Sequence, residues 1–432
     1  VTSKTRIDGL VNFLSGLGSK KDRTQNTHYS GGIVLDRQTL DDMYRHNGFA
    51  KKIVDIPAKE MTRQWITIEN DDENIGLQKL DALGAKTIFR DALKWGRLFG
   101  GALIVMGIDD GGALEQPVRE AAIRDVTFLR VYDRHQISWQ TADISDDPNS
   151  EYYGLPEFYT ISAYNTAKQF RVHASRVLRH GGIGISERSR AQNDGWGDSV
   201  LQAIYDELRD YGIIKSSSVN IVQDFVQTLL QIDNLSEMLS TKDGEDVVRK
   251  RLDLIDMSRS VLNTILLDGE EQYTKQSSTV TGLDKLIEQF ALALSGVTGI
   301  PVTKLFGQAP AGLNASGDND VRNFYDDIKS SQEEELLPML QRLHYLIMKS
   351  LNGGYKGQVN AEANIEFVPL WQMTDQQDAD WKYKIAQTDE IYVRNGVANP
   401  EEIAVSRFSG GFNPDTTIDP SMRKFEELNN AE

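Results

Sequence analysis

Gly299-Ile300-Pro301-Val302-Thr303-Lys304-Leu305-Phe306-Gly307-Gln308-Ala309-Pro310-Ala311-Gly312-Leu313-Asn314-Ala315-Ser316-Gly317 is the stretch on which the reading of this 432-residue chain turns. A Gly-Ile-Pro breaks the backbone, and from Leu305 to Gly317 there is no charged residue, only small, polar and glycine positions with Pro310 among them. Such composition predicts a mobile loop rather than a packed element. On composition alone it could equally be an ordinary surface loop.

What flanks the loop is more regular. Upstream, from about Thr281, Leu283, Leu286, Ile287, Phe290 and Leu294 recur at helical spacing. Ala291, Ala293, Ser295 and Gly296 on the same helix permit close approach of a neighbour. A second striped helix, capped by Asp198, carries Leu201, Ile204, Leu208 and Tyr211. Between the two lies a small segment, 225–279. It reads as an apolar strand (Phe225 to Ile232), then a helix with Val248, Leu252, Ile255 and Leu262 on one side. A hairpin-like piece follows, from Ile265–Leu267 through Asp268-Gly269 to Gln272–Lys275. Downstream of the loop, a helical pattern from about Asp318 to Leu351 would span roughly 50 Å. Pro338 inside it lacks an amide hydrogen and predicts a kink. Asn364 to Leu370 reads as a strand, Asp375 to Asn395 as a helix, and Asn399-Pro400-Glu401-Glu402 opens a last short helix.

The first part of the chain is mixed. Leu40–Thr62 reads as a helix in which Pro57 marks a break or a new helical start, and Thr87–Phe99 as another, ended by Gly100-Gly101. Ala102–Ile108 is a buried strand, Asp109-Asp110-Gly111-Gly112 a turn, and shorter strands fall at 126–131, 158–161 and 169–172. The expected class is therefore α+β, with helices packed on a sheet. The first forty residues read as an arm and the last twenty as a fraying end. Because residue 1 is Val rather than Met, an N-terminal stretch is expected to be missing.

Bulk properties remove several functions. The net charge of −17 and pI near 4.9 argue against a protein that grips nucleic acid by neutralising phosphates. The absence of cysteine removes disulfides, zinc–thiolate sites and thiol nucleophiles. No apolar run reaches a membrane-spanning length. There is no Gly-x-x-x-x-Gly-Lys-[Ser/Thr] loop, no His-Glu-x-x-His and no Gly-x-Ser-x-Gly elbow. His28, His46, His135, His173, His180 and His344 are scattered, so no metal site and no cofactor are expected. One enzymatic pattern stays open: His28-Tyr29-Ser30 and His173-Ala174-Ser175 both fit the His-x-[Ser/Thr] pair of 2H phosphoesterases, where two histidines act as acid and base on a phosphodiester. Trp65, Trp95, Trp196, Trp371 and Trp381 sit in no basic stretch and are expected in cores or interfaces rather than against bases.

The order of elements, and several local motifs, resemble the portal proteins of tailed bacteriophages, the head–tail connectors. The motifs are Lys52-Ile53-Val54-Asp55-Ile56-Pro57-Ala58 with Met61-Thr62-Arg63, then Arg97-Leu98-Phe99-Gly100-Gly101-Ala102, His173-Ala174-Ser175-Arg176-Val177 and Gly195-Trp196-Gly197-Asp198-Ser199. Most specific is Gly299-Ile300-Pro301 through Leu305-Phe306-Gly307-Gln308 to Ala311-Gly312-Leu313-Asn314-Ala315. The resemblance implies an N-terminal arm (1–40), a wing (41–195 and 319–385, the latter opening with a long kinked helix), stem helices (196–224 and 280–304), a clip (225–279), a tunnel loop (305–318) and a crown (386–432).

It also implies a non-enzymatic homo-oligomer, a dodecamer, at one capsid vertex of the virion, assembled in the host cytoplasm. Double-stranded DNA would be packaged and ejected through it without sequence specificity. Its implied partners are the terminase large subunit, the head–tail adaptor, and capsid and scaffold proteins, with no membrane. The loop residues Gln308, Asn314, Ser316 and Asp318 would face the channel. Arg249, Lys250 and Arg251 in the clip would face motor or adaptor, although a solvated helix face explains that cluster equally well. A shorter, non-portal head–tail adaptor is the other non-enzymatic alternative.

Overall fold

The structure is a computed structural model in which residues 34–223, 226–231, 246–250, 253, 272–277, 282–307, 317–371 and 375–408 are described. Two units are distinguished, 1–368 and 369–432.

The body begins with α1 (Arg37–His46) and α2 (Gly48–Arg63). The apolar pattern predicts one helix here, broken at Pro57. The break lies instead at Asn47, whose backbone is extended (φ −113°, ψ 110°). Its side chain accepts from the amides of Phe49 and Ala50 at 2.9 and 3.2 Å, an N-cap that restarts the helix. Pro57 is buried inside α2 without ending it. β1 (Ile66–Glu69), α3 (Ile75–Ala82) and α4 (Ala85–Phe99) follow. Gly100, at φ +86°, closes α4 in a left-handed conformation that other residues adopt only with strain.

Three small antiparallel sheets organise the rest of the body. β2 (Ala102–Asp109), fully buried but for its last residue, pairs with β3 (Asp125–Asp133) on one edge. On its other edge lies β7 (Val177–His180). β4 (Ile137–Ser138), β5 (Phe158–Ser162) and β6 (Gln169–His173) form the second sheet. Leu103, Val105, Tyr132, Tyr159, Ile161, Val172 and Trp196 pack the two sheets into one core. The third sheet joins β1 to β10 (Asn364–Phe367) across the whole body, Ile66 opposite Phe367.

After α5 (Glu187–Gln192) comes a short helix, α6 (Val200–Ala203), capped by Ser199 rather than by the expected Asp198. α7 (Tyr205–Gln223) packs along α8 (Leu283–Thr298). Between them, β8 (Val226–Gln231) pairs with β9 (Gln272–Ser277), so the described partner of the 272 strand is this earlier strand. The piece expected at Ile265–Leu267 lies outside the described residues. α8 ends at Gly299 (φ +66°), and a short helix, α9 (Val302–Phe306), follows. Leu305 and Phe306 are therefore helical, and the expected loop cannot begin before Gly307.

The long helical pattern is α10 (Gly317–Ser331), a π-helical turn (Gln332–Leu336) and α11 (Leu337–Met348). The expected kink takes the form of that wide turn. Pro338, in the first turn of α11, has no amide to offer the carbonyl of Glu334, and the extra residue of the π turn absorbs the mismatch. In the second unit, α12 (Asp375–Arg394) and α13 (Pro400–Phe408) are joined by Arg407 on Asp389 at 2.9 Å.

The His173-Ala174-Ser175-Arg176-Val177 motif has a structural role. Arg176 is wholly buried and pairs with equally buried Asp110 at 2.7 Å. It also donates to the carbonyls of Gln116 (2.7 Å) and Ile108 (3.3 Å). Asp110 accepts in addition from the amides of Gly112 and Arg119, at 2.9 and 2.8 Å. Both charges are thus fully bonded, and removing one strands the other. Arg176→Met is expected to cost about 3–5 kcal/mol in denaturant unfolding, and Arg176→Met with Asp110→Leu clearly less. A double variant as unstable as the single one would show that the pair's geometry, not the stranded charge, sets the cost.

Candidate functional site at the base of the uncharged loop

The body helix α2 is where the motif residues meet. Pro57 cannot donate to the carbonyl of Ile53 four residues earlier. Arg97, from α4, supplies the missing donor: its guanidinium reaches Ile53 O at 3.0 Å and Val54 O at 3.3 Å. Burial pulls Arg97 below its ordinary pKa, to about 10, with the Glu335 carboxylate opposing the shift. Ser199 Oγ in turn donates to the carbonyl of Arg97 at 3.3 Å. Beside it, Trp196 lies flush on Gly101, where a Cβ would come 2.1 Å from its ring. Three motifs spread along the sequence from Ile53 to Ser199 therefore close on one junction.

The same helix holds the residues that flank the uncharged run 308–316. At its N-terminal side, Lys52 Nζ donates to the carbonyl of Leu305 at 2.6 Å. Leu305 itself is fully buried. The rings of Phe49, Tyr211 and Phe306 meet edge to face or tilted, with centroids 4.9–5.7 Å apart. Lys304 is the single charged residue between Gly299 and Gly317. It is turned back onto Glu60 Oε1 at 2.6 Å and Tyr325 OH at 2.9 Å. Burial works against that charge, but the bonds to Glu60 and Tyr325 outweigh it and hold the ammonium above its ordinary pKa. Tyr325 belongs to α10, so one lysine joins the element before the loop, the element after it and the body helix. Further along, Gln332 Nε2 donates to Met61 O at 2.7 Å, fixing the π turn to α2 as well. At the end of α8, Ser295 Oγ donates to Ile300 O at 2.5 Å and pins the Gly-Ile-Pro turn.

Of the sequence-proposed channel residues, Gln308, Asn314 and Ser316 lie outside the described residues. Asp318 lies in the first turn of α10. Arg249 and Lys250 are exposed on a helical stretch at 246–250, and Arg251 lies outside the described residues. The sequence alone does not point to the base residues Lys52, Glu60 and Tyr325. The available signal was Lys304, a lone charge beside an otherwise uncharged run.

His28 lies outside the described residues, so only the His173 half of the phosphoesterase pattern can be described. His173 caps the turn Ala174–Arg176. Its Nδ1 accepts from the Ser175 amide at 3.1 Å and lies 2.9 Å from Ser175 Oγ, which also accepts from Val118 N at 2.9 Å. The motif is thereby occupied in holding its own turn. Among the described residues, no group of histidines and carboxylates could hold a metal, and no helix is long and apolar enough to cross a membrane. Trp65 and Trp196 are buried, while Trp381 is 41% exposed.

The described body is a mixed α+β fold of small antiparallel sheets, with two packed helices, α7 and α8, bracketing a strand pair. The structure aligns with a chain from the neck of an empty GTA particle computed with C6 symmetry, at TM-score 0.50 and 14% identity over 88% of this chain and 96% of the other. The family model described as phage portal protein matches residues 38–391, and the chain belongs to that family. Among curated proteins it is 30% identical over 389 residues to a Caulobacter sp. (strain RHG1) protein named anti-CBASS protein Acb1, covering 87% of this chain but only 61% of that one. It is 28% identical to an uncharacterized protein of Haemophilus influenzae over 98% of this chain and 94% of the other.

His180, in contact with Gly96 beside Arg97, is wholly enclosed, and burial pushes its imidazole down to about 4, the Arg97 charge acting in the same direction. The unfolded chain then binds a proton that the folded one refuses between pH 6.5 and 4. Stability falls as pH drops through that window, by about 3 kcal/mol in all. Glu335, raised by its burial, acts in the opposite sense at the acid end. Comparing the wild type with His180→Gln isolates the histidine: the variant is expected to show a flatter loss of stability in urea titrations from about pH 7 to 4. Equal slopes would place the imidazole proton outside the folding equilibrium.

Proposed function

We propose that this chain is the subunit of a portal ring, a homo-oligomeric channel of about twelve copies at one capsid vertex. Double-stranded DNA passes through it during packaging and ejection, and the packaging motor and later the tail dock on it. In this reading α7 and α8 are the stem, the β8–β9 segment the clip and 308–316 the tunnel loop. α10 to α11 form the wing helix, and 386–432 the crown. Gln308, Asn314 and Ser316 offer DNA weak, exchangeable hydrogen bonds, and Arg249, Lys250 and Arg251 face the motor or adaptor.

The observation that carries the reading is the loop base. A charge-free segment is flanked by residues held on α2, and the cation that adjoins it in sequence, Lys304, is bonded to Glu60 and Tyr325. A lysine or arginine free in a channel would pair with phosphates and brake the DNA. Net charge supports the same role, since twelve chains of −17 each make −204 and discourage adsorption of DNA to the ring. The family and the neck-particle fold are consistent with it. The name of the Caulobacter relative describes a protein of which this chain spans 61%, and it stays with that longer protein.

Val219 on α7 and Leu286 and Val297 on α8 are half exposed in the single chain, at 51, 55 and 50%. Neighbouring subunits would cover them. Leu286→Glu with Val297→Glu is therefore expected to leave a folded chain that no longer closes into rings, measured by native mass and circular dichroism. Rings that persist in this variant would move the subunit interface elsewhere. Deleting 308–316, which spares Lys304 and Tyr325, should preserve rings with a central opening in electron micrographs while lowering DNA packaging or retention. Unchanged packaging and retention in that deletion would defeat the channel-loop assignment.

A further inference from the structure

The chain has three Asn-Gly steps, at Asn47-Gly48, Asn352-Gly353 and Asn395-Gly396. A glycine in second place leaves its nitrogen open to the asparagine side chain, because no Cβ restricts the backbone there. In an unfolded chain the three steps are chemically alike. The fold makes them different.

Asn47 is committed through its side chain. Its Oδ1 accepts from the amides of Phe49 and Ala50 at 2.9 and 3.2 Å, and turning toward Gly48 gives up both bonds of the N-cap. Asn395 is committed through its backbone. Its amide donates to Ile391 O at 3.0 Å, which keeps it on the last turn of α12. Side chains on a helix point back toward its N-terminus, away from the next nitrogen. That nitrogen is also engaged: Gly396 N (φ +68°) donates to Val393 O at 3.1 Å and Val397 N to Tyr392 O at 2.9 Å, the bond pattern of a glycine C-cap.

Neither restraint acts at Asn352, in the connection between α11 and β10. The residue is exposed, and among the described residues its side chain has no hydrogen-bond partner. Its own amide is anchored on Arg124 O at 2.9 Å, beside Leu351 N on Ile123 O at 2.9 Å. The next nitrogen is the loose one. Gly353 N reaches Ser350 O at 3.3 Å, longer than such bonds usually run, and the same oxygen already accepts from Gly357 N at 3.0 Å. A free carboxamide thus stands next to a weakly bonded nitrogen.

We propose that Asn352 is a site of spontaneous covalent modification, at which Gly353 N closes on Asn352 Cγ. The N–Cγ bond forms, the Cγ–Nδ2 bond breaks, and ammonia leaves with the proton of the Gly353 amide. Water then opens the cyclic imide. Cleavage of the bond to Cγ gives aspartate, and cleavage of the main-chain bond gives isoaspartate, which carries the backbone through the side chain. The isoaspartate lengthens a turn that Gly357 N and Ser350 O close. Tyr355 lies inside that turn, its hydroxyl donating to Asp71 Oδ1 at 2.6 Å and lying 3.2 Å from His344 Nε2. The modified turn loosens this anchor.

Full-length protein is incubated at mildly alkaline pH, folded and, in parallel, in concentrated urea. Peptide mass spectrometry gives the conversion at each asparagine, and fragmentation separates aspartate from isoaspartate. In urea the three steps are expected to convert at similar rates. In the folded chain Asn352 should keep most of its urea rate, while Asn47 and Asn395 slow by about tenfold or more, a difference of about 1.4 kcal/mol in barrier. Asn352 slowed as much as Asn47 overturns the proposal, and so does Asn395 converting first. Hydrogen exchange at Tyr355–Gly357 should be faster in the isoaspartate fraction than in Asn352→Asp, which has the same charge on an unaltered backbone. Equal exchange in the two would overturn the loosening of Tyr355.

Discussion

The carbonyl of Ile53, deprived of its helical donor by Pro57, is the constraint around which the body is built. An interior proline ordinarily leaves that oxygen to solvent or kinks the helix. Here Arg97 reaches it at 3.0 Å from α4, so the defect in one motif is completed by the side chain of another. The cost of burying a guanidinium is offset by two carbonyl acceptors, and the position of α4 against α2 becomes specific rather than merely apolar. The Ser199 hydroxyl then fixes the start of the helix that leads into α7 by bonding the carbonyl of Arg97.

From this junction the geometry of the loop base follows. Because α2 is locked in place, Lys52, Glu60 and the carbonyl of Met61 form a fixed row: the first two receive Leu305 and Lys304 of α9, and the last receives the π turn. The uncharged run 308–316 is thus flanked on both sides by residues bonded to α2 or to its partners. The lone lysine at its edge serves the base rather than the loop. Its charge is committed to anchoring, and its ammonium lies over the Tyr325 ring at 4.7 Å.

Much of this was legible in the sequence where the signal is local and periodic. The stripes at Leu201–Tyr211 and Leu283–Leu294, the buried strand at Ala102–Ile108 and the irregularity near Pro338 all follow from spacing and from proline's missing amide. What escaped was decided by partners distant in sequence. Asn47 restarts a helix because its side chain finds two amides, a choice that an apolar pattern running straight through it conceals. Pro57 looks like a break because the compensating donor, Arg97, belongs to a different helix. β9 pairs with β8, at the other end of the inserted segment, because pairing in a sheet is set by tertiary contacts. The base cluster draws Lys52 and Glu60 from one end of the body and Lys304 and Tyr325 from far along the chain, and no window of sequence contains it.

The motifs that carry the family resemblance prove to be structural in a consistent way. The His-Ala-Ser-Arg-Val stretch is a capped turn followed by a buried ion pair. The Gly-Trp-Gly-Asp-Ser stretch is a close approach, with Trp196 laid on Gly101 and Gly197 against the carbonyls of Gly181 and Ile183. Side chains so thoroughly bonded to their own fold keep few donors or acceptors for anything else. The proposed ring subunit would have different requirements: a rigid frame that repeats identically around an axis, and one segment whose chemistry is weak. Strong, specific bonding concentrated at the junction of α2 and α4, beside a run of residues with no charge to offer, divides the chain along those two lines.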